Sequence, residues 1–167
     1  MMQFISFVIT AILLTGCMSE PAPQSKKMMH KMQMFQSVKP QEATLVQSGE
    51  NKNACIRCGM NLTKFYKTSH AALHNDTPTQ YCSIHCLAEY LDKGVELKNP
   101  KVVDVSSLKL LPVLEVYYVV GSKKRGTMSR VSKYAFASLE DAKAFQKENG
   151  GKILDFNGAL EVAREDF

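Results

Sequence analysis

The chain has 167 residues, 45% of them hydrophobic, with 21 Lys and Arg against 16 Asp and Glu and a formal net charge of +5. The positive charge is spread over an N-terminal stretch and the run Lys123-Lys124-Arg125, with no basic helix and no aromatic-interleaved patch; this excludes nucleic acid as a partner and leaves a solvated surface near anionic lipid or another protein. There is no Ser-His-Asp set, no pair of carboxylates and no phosphate loop, so binding rather than catalysis is the chemistry to look for.

Residues 4–14, FISFVITAILL, form an apolar run shorter than the roughly 20 residues that a bilayer-spanning helix takes, and of the length of a signal-peptide core. The run leads into Leu14-Thr15-Gly16-Cys17, which resembles the lipobox of bacterial lipoproteins, in which the cysteine is lipidated and becomes the new N-terminus. No Lys or Arg precedes the run, and an uncleaved N-terminal anchor is the other reading. Both put residues 18–167 outside the cytoplasm. Met18 rather than Asp after the cysteine points to the outer membrane, with the folded part on the periplasmic side.

The expected division is a signal peptide over 1–16, a lipidated tether over 17–42 and a folded part over 43–167, with halves of about 54–106 and 112–167. From Met18 to about Gln41 there are three prolines, many polar residues and no sustained apolar period, so little surface offsets the entropy of ordering this stretch. Met28, Met29, His30, Met32 and Met34 crowd into seven residues of it. Thioethers of this kind collect Cu(I) weakly and pass it on by ligand exchange; the competing reading is an amphipathic turn that docks on the domain or the membrane.

With Cys17 assigned to lipid, four cysteines remain, as Cys55-Ile-Arg-Cys58 and Cys82-Ser-Ile-His-Cys86. Pairs at these spacings let both thiolates of a pair point at one ion. Outside the cytoplasm the same four could form two structural disulfides or a redox-active pair. Cys82 and Cys86 fall at i and i+4 of an expected helix, an awkward geometry for a bridge, which favours metal. Met60 follows Cys58 by two residues through Gly59 and adds a soft sulfur that suits Cu(I) more than Zn²⁺. Strand alternation puts His70 on one face with Ala72 and makes it a further candidate ligand. His85 lies between the cysteines of the second pair, and His74 belongs to its Asn75-Asp76 turn.

The remaining pattern reads as short strands and modest helices. Strands over 69–73 and 79–82 make a hairpin around the turn residues 74–78, and a helix over 83–93 ends at Gly94 with Ile84, Leu87 and Leu91 on one face. A strand over 101–106 completes the first half. The second half has a strand over 113–120, a basic turn over 121–126 and a weaker strand over 127–136. A helix opened by Ser138 and closed at Gly150-Gly151, a strand over 152–156 and a short C-terminal helix follow. The expectation is an α+β fold, two ββαβ units packed as one compact domain behind a flexible lipidated tether.

The blocks Ala54-Cys55-Ile56-Arg57-Cys58-Gly59-Met60-Asn61-Leu62 and Val119-Val120-Gly121-Ser122-Lys123-Lys124-Arg125-Gly126-Thr127-Met128 resemble the two signature stretches of NosL, the accessory lipoproteins of nitrous-oxide reductase. Phe136 and Gly150-Gly151-Lys152-Ile153-Leu154-Asp155-Phe156 continue the likeness. The resemblance implies a Cu(I)-binding lipoprotein that is not an enzyme, whose client is apo nitrous-oxide reductase or another copper enzyme, with Cys58, Met60 and Met128 as sulfur ligands. Cys55, Cys82, Cys86 and His70 are the further candidates. Typical members lack a second cysteine pair, whereas Tyr81-Cys82-Ser83-Ile84-His85-Cys86 is similar to the zinc-binding treble-clef domains of the TRASH and YHS type, which makes Zn²⁺ the alternative ion. A thiol oxidoreductase or lyase-like protein, or one whose cysteines merely staple the fold, are the rivals from other classes.

Overall fold

The computed structural model describes residues 34–165. Strands β1 (His70–His74) and β2 (Thr77–Tyr81) pair antiparallel through a two-residue turn, Asn75-Asp76, both with positive φ (49° and 57°). Such a turn matches the right-handed twist of the strands it joins, and Asn and Asp tolerate the left-handed conformation better than most side chains. Helix α1 (Ile84–Asp92) starts after Ser83 in extended backbone, and Gly94, at φ 75°, follows its end. Strands β3 (Lys98–Val103) and β4 (Leu110–Pro112) complete a four-stranded antiparallel sheet of order β2-β1-β3-β4.

The second half repeats the plan. Strands β5 (Tyr117–Val120), β6 (Lys133–Phe136) and β7 (Lys152–Leu154) form a sheet of order β6-β5-β7, with α2 (Leu139–Asn149) between β6 and β7 and α3 (Phe156–Arg164) after it. In both halves the first strand lies between the second and the strand that follows the helix, so the expected pair of ββαβ units is what forms. Ser138 and Asp155 cap α2 and α3 by accepting hydrogen bonds from Asp141 N and Gly158 N.

One core runs through both halves. Leu62, Tyr81, Leu87 and Val102 of the first pack with Tyr118, Val120, Phe156 and Leu160 of the second. The sheets also touch edge to edge, where Asp104 and Ala135 form a parallel bridge and Val105 N donates to Ala135 O at 2.9 Å.

Several boundaries differ from the expectation: the hairpin turn expected over 74–78 is only Asn75-Asp76, and the strand expected over 152–156 ends at Leu154. Of the strand expected over 113–120 only Tyr117–Val120 forms, as β5 of the second sheet; Val113–Glu115 is a 3-10 turn that carries the chain over from β4, an unexpected strand of the first sheet, and leaves Leu114 80% exposed. Of the strand expected over 127–136, β6 is the last four residues, since Met128 adopts a left-handed φ of 57° that no strand accommodates. Strand β3 runs over Lys98–Val103 rather than 101–106. The packed region also begins ahead of residue 43: the ring of Phe35 meets Tyr134 edge-on with centroids 5.1 Å apart, Gln36 and Val38 are buried, and Val38 N donates to Thr63 O.

Candidate metal centre

The first cysteine pair sits in a tight knuckle. Ala54 and Asn61 bridge antiparallel, Cys55 N donates to Met60 O at 2.8 Å, and Gly59 N donates to Cys55 O at 2.9 Å. Gly59 adopts φ 73°, a conformation that a side chain would strain, and this reversal turns Cys55 and Cys58 to the same side. Ile56 N then donates to Gln80 O at 3.0 Å, fixing the knuckle to β2. The second pair needs no special loop, because Cys82 directly follows β2 and Cys86 stands in the first turn of α1. A knuckle, a hairpin and a helix start thus face one point, the treble-clef arrangement.

The four sulfurs all lie within 4.8 Å of one another, with Cys58–Cys82 at 3.5 Å and Cys82–Cys86 and Cys86–Cys58 both at 3.6 Å. A disulfide would need about 2.05 Å, and all four cysteines are free thiols. Thiolates placed 2.3 Å from a shared ion stand about 3.8 Å apart in a tetrahedron, so the observed spacings suit one ion held by sulfur. Cys55, Cys82 and Cys86 are buried and Cys58 is half-buried, so the centre has one edge toward solvent.

The thiols are electrostatically unequal. Hydrogen bonds from Cys82 and Cys86 hold the Cys55 thiol well below the usual thiol range, against the opposing effect of burial. Giving those bonds pushes Cys82 and Cys86 up, and burial pushes them further. A cation entering the centre therefore has to displace protons from Cys82 and Cys86.

Met60 shares the knuckle; it is half-buried against the common core and lends its carbonyl to Cys55 N. Met128 lies in the second half, 43% exposed, on a loop docked beside the cysteines: the hydroxyl of buried Thr127 is 2.8 Å from that of Thr68, which is itself 2.8 Å from Cys82 O. His70 does not join the cluster. It is buried, Nδ1 is 3.1 Å from Thr68 O and Nε2 is 3.1 Å from the Tyr118 hydroxyl, and burial pushes its pKa down to about 4. The neutral ring donates from Nδ1 to the carbonyl and accepts from Tyr118 at Nε2, which leaves neither nitrogen aimed at a metal. His74 packs edge-on to Tyr90, and His85 is buried on α1 outside the four-sulfur group. Cys17, Met28, Met29, His30 and Met32 lie outside the described residues; Met34 is the first described residue, and its carbonyl accepts from Ser37.

Sequence reasoning missed Thr68 and Thr127, whose pairing across 59 residues leaves no local signal. It also missed Arg57 and Glu89, which form a two-point ion pair beside the knuckle. Their trace was readable: Arg57 precedes the candidate ligand Cys58, and Glu89 follows Cys86 by three residues, on the same helix face.

Fold and site together define the class: an α+β protein in which a treble-clef frame gathers four free cysteines into a candidate metal centre. The family model for NosL matches residues 46–161, more than two thirds of the length, and the chain belongs to the NosL family. Among solved structures it is similar to the copper chaperone NosL from Shewanella denitrificans, with a TM-score of 0.52 and 23% identity over 71% of this chain and 96% of that one, a likeness in fold. No curated protein matches the chain.

Proposed function

We propose that this protein is a Cu(I) carrier of the bacterial cell envelope, lipid-anchored through Cys17 on the periplasmic side of the outer membrane, that supplies copper to apo nitrous-oxide reductase or another copper enzyme. The observation that carries the reading is the group of four reduced sulfurs within 4.8 Å, with Cys58 on the open edge. Thiolates and thioethers select Cu(I) by softness, and an edge ligand lets an acceptor's sulfur or imidazole enter before the donor's ligand leaves. Family membership and the copper chaperone of like fold support the same reading, as does the absence of any catalytic constellation in the sequence. Met60 and Met128 serve as accessory thioethers, and the Met-rich stretch 28–34 collects the ion on the tether that follows signal residues 1–16.

The closed set of four cysteines in a treble-clef frame favours a second reading, a structural Zn²⁺. Anaerobic Cu(I) titration against a competing chelator, with Zn²⁺ in parallel, separates the two. The carrier reading expects stoichiometric Cu(I) that displaces Zn²⁺ and binds more weakly in Cys58→Ala; stoichiometric Zn²⁺ that Cu(I) fails to displace makes the centre structural. Mass spectrometry of the mature N-terminus tests the lipid on Cys17, and mixing Cu(I)-loaded protein with apo reductase tests the client.

A further inference from the structure

Resting on the metal-carrier reading, we propose that the Arg57–Glu89 ion pair is a clasp that holds the knuckle against α1 and sets the rate at which the four-cysteine centre gives up its ion.

The centre can open at one end. Three of its cysteines are buried, just after β2, on α1 and at the base of the knuckle, and of the four Cys58 alone is half-buried. For an acceptor to displace Cys58, the knuckle has to lift at that end. Two attachments oppose this on opposite sides: on the β2 side the Ile56 N–H bonds Gln80 O, and on the α1 side the Arg57 guanidinium bonds the Glu89 carboxylate. The residues are consecutive, so the chain 56-57-58 runs from the first attachment through the second to the exchangeable ligand.

Glu89 is well placed to act on the metal centre. It follows Cys86 by three residues, so both side chains lie on one face of α1 and Arg57 fastens the knuckle one turn beyond a ligand. Arg57 Nη2 donates to Glu89 Oε1 at 3.0 Å, and Nε lies against Oε2 as a second point of the ion pair. A charge-assisted bond from a planar guanidinium, with a second ion-pair contact beside it, fixes direction as well as distance, which a lysine contact would not do. The side chains are 34% and 22% exposed, whereas the Lys98–Asp76 pair, at 53% and 82%, lies open to solvent and screening.

A clasp and a simple charge effect make opposite forecasts. If Arg57 acts through its charge, neutralising Glu89 frees that charge for the thiolates and slows release. If it acts as a clasp, the same change speeds release. The experiment loads the full chain anaerobically with Cu(I) and follows transfer to excess chromogenic chelator for wild type, Glu89→Gln, Arg57→Gln and the exchanged pair Arg57→Glu with Glu89→Arg. Glu89→Gln and Arg57→Gln are expected to release about tenfold faster, and the exchanged pair to return to within about threefold of wild type. Release from Glu89→Gln at or below the wild-type rate overturns the clasp. A wild-type chain that takes up no Cu(I) overturns the carrier reading and the clasp with it, whereas one that loads beside unchanged variants overturns the clasp alone. Near-ultraviolet circular dichroism of the metal-free variants shows whether each is folded. Should Glu89→Gln fail there, the exchanged pair decides: slow release supports the clasp, and fast release from a folded chain overturns it.

Discussion

The hydroxyls of Thr68 and Thr127 meet at 2.8 Å in the buried seam between the two halves, and the Thr68 hydroxyl reaches on to the Cys82 carbonyl. The loop that carries Met128 is thereby registered on the strand end that carries a candidate ligand, Cys82. Thr127→Val keeps the volume and removes the hydroxyl, and is expected to lower unfolding free energy by about 1–2 kcal/mol in urea titration. Met128→Ala, at an exposed position, should leave stability within about 0.5 kcal/mol of wild type. If the thioether serves Cu(I), both substitutions weaken binding, and stability separates their causes.

Metal loading should release protons. Cys82 and Cys86 are pushed above the ordinary thiol range, so they hold protons at neutral pH until a cation takes their sulfur. Apparent affinity is expected to rise with pH across the neutral range, with a slope equal to the number of protons lost. Titration of metal into weakly buffered protein with a pH indicator measures that number, and Cys86→Ala should lower it.

His70 makes the metal-free fold sensitive to acid. Its native pKa of about 4 lies below the value of about 6.5 that it regains on unfolding. As pH falls from about 6.5 to 4 the unfolded chain takes up a proton that the native chain refuses, so stability falls with pH by as much as about 1.4 kcal/mol per unit. Above that window the contribution is constant. His70→Gln costs stability at pH 7.5, and the gap between variant and wild type should narrow at pH 5; a gap of equal width at both would contradict the burial of a neutral ring.

Gly151 joins α2 to β7 at φ 99°, and a Cβ there would lie 2.7 Å from Val120 O and 3.1 Å from Ser122 N. Both neighbours are backbone of β5 and its turn and cannot swing away. Gly151→Ala is expected to destabilise by about 2–3 kcal/mol, from left-handed strain and the clash together. Thermal unfolding would show the loss, while metal stoichiometry stays unchanged because all four cysteines belong to the first half.

Much of this was legible in residue order. The turn residues Asn75-Asp76, the apolar face of α1 and the glycines at 94 and 150 mark local events, and local events are what periodicity and turn chemistry report. The cysteine spacing likewise held the centre, since a knuckle and a helix start are short-range geometry. The interruption at Val113–Glu115 was hidden because a run of β-branched residues looks the same whether it serves one sheet or crosses between two. His70 misled for a related reason: alternation says which face a side chain takes, and the partner waiting there, Tyr118, comes from 48 residues away. The packing of Phe35 was equally invisible, because its pocket is built by Tyr134 and Phe145.

The four sulfurs span the chain from 55 to 86, so an ion among them ties a loop of some thirty residues into a cross-link. Ties of that length restrict the unfolded chain by a few kcal/mol. On the proposed carrier reading the cargo is also a brace: a chain without its ion is looser than one that holds it, and limited proteolysis should cut the empty form faster than the loaded one.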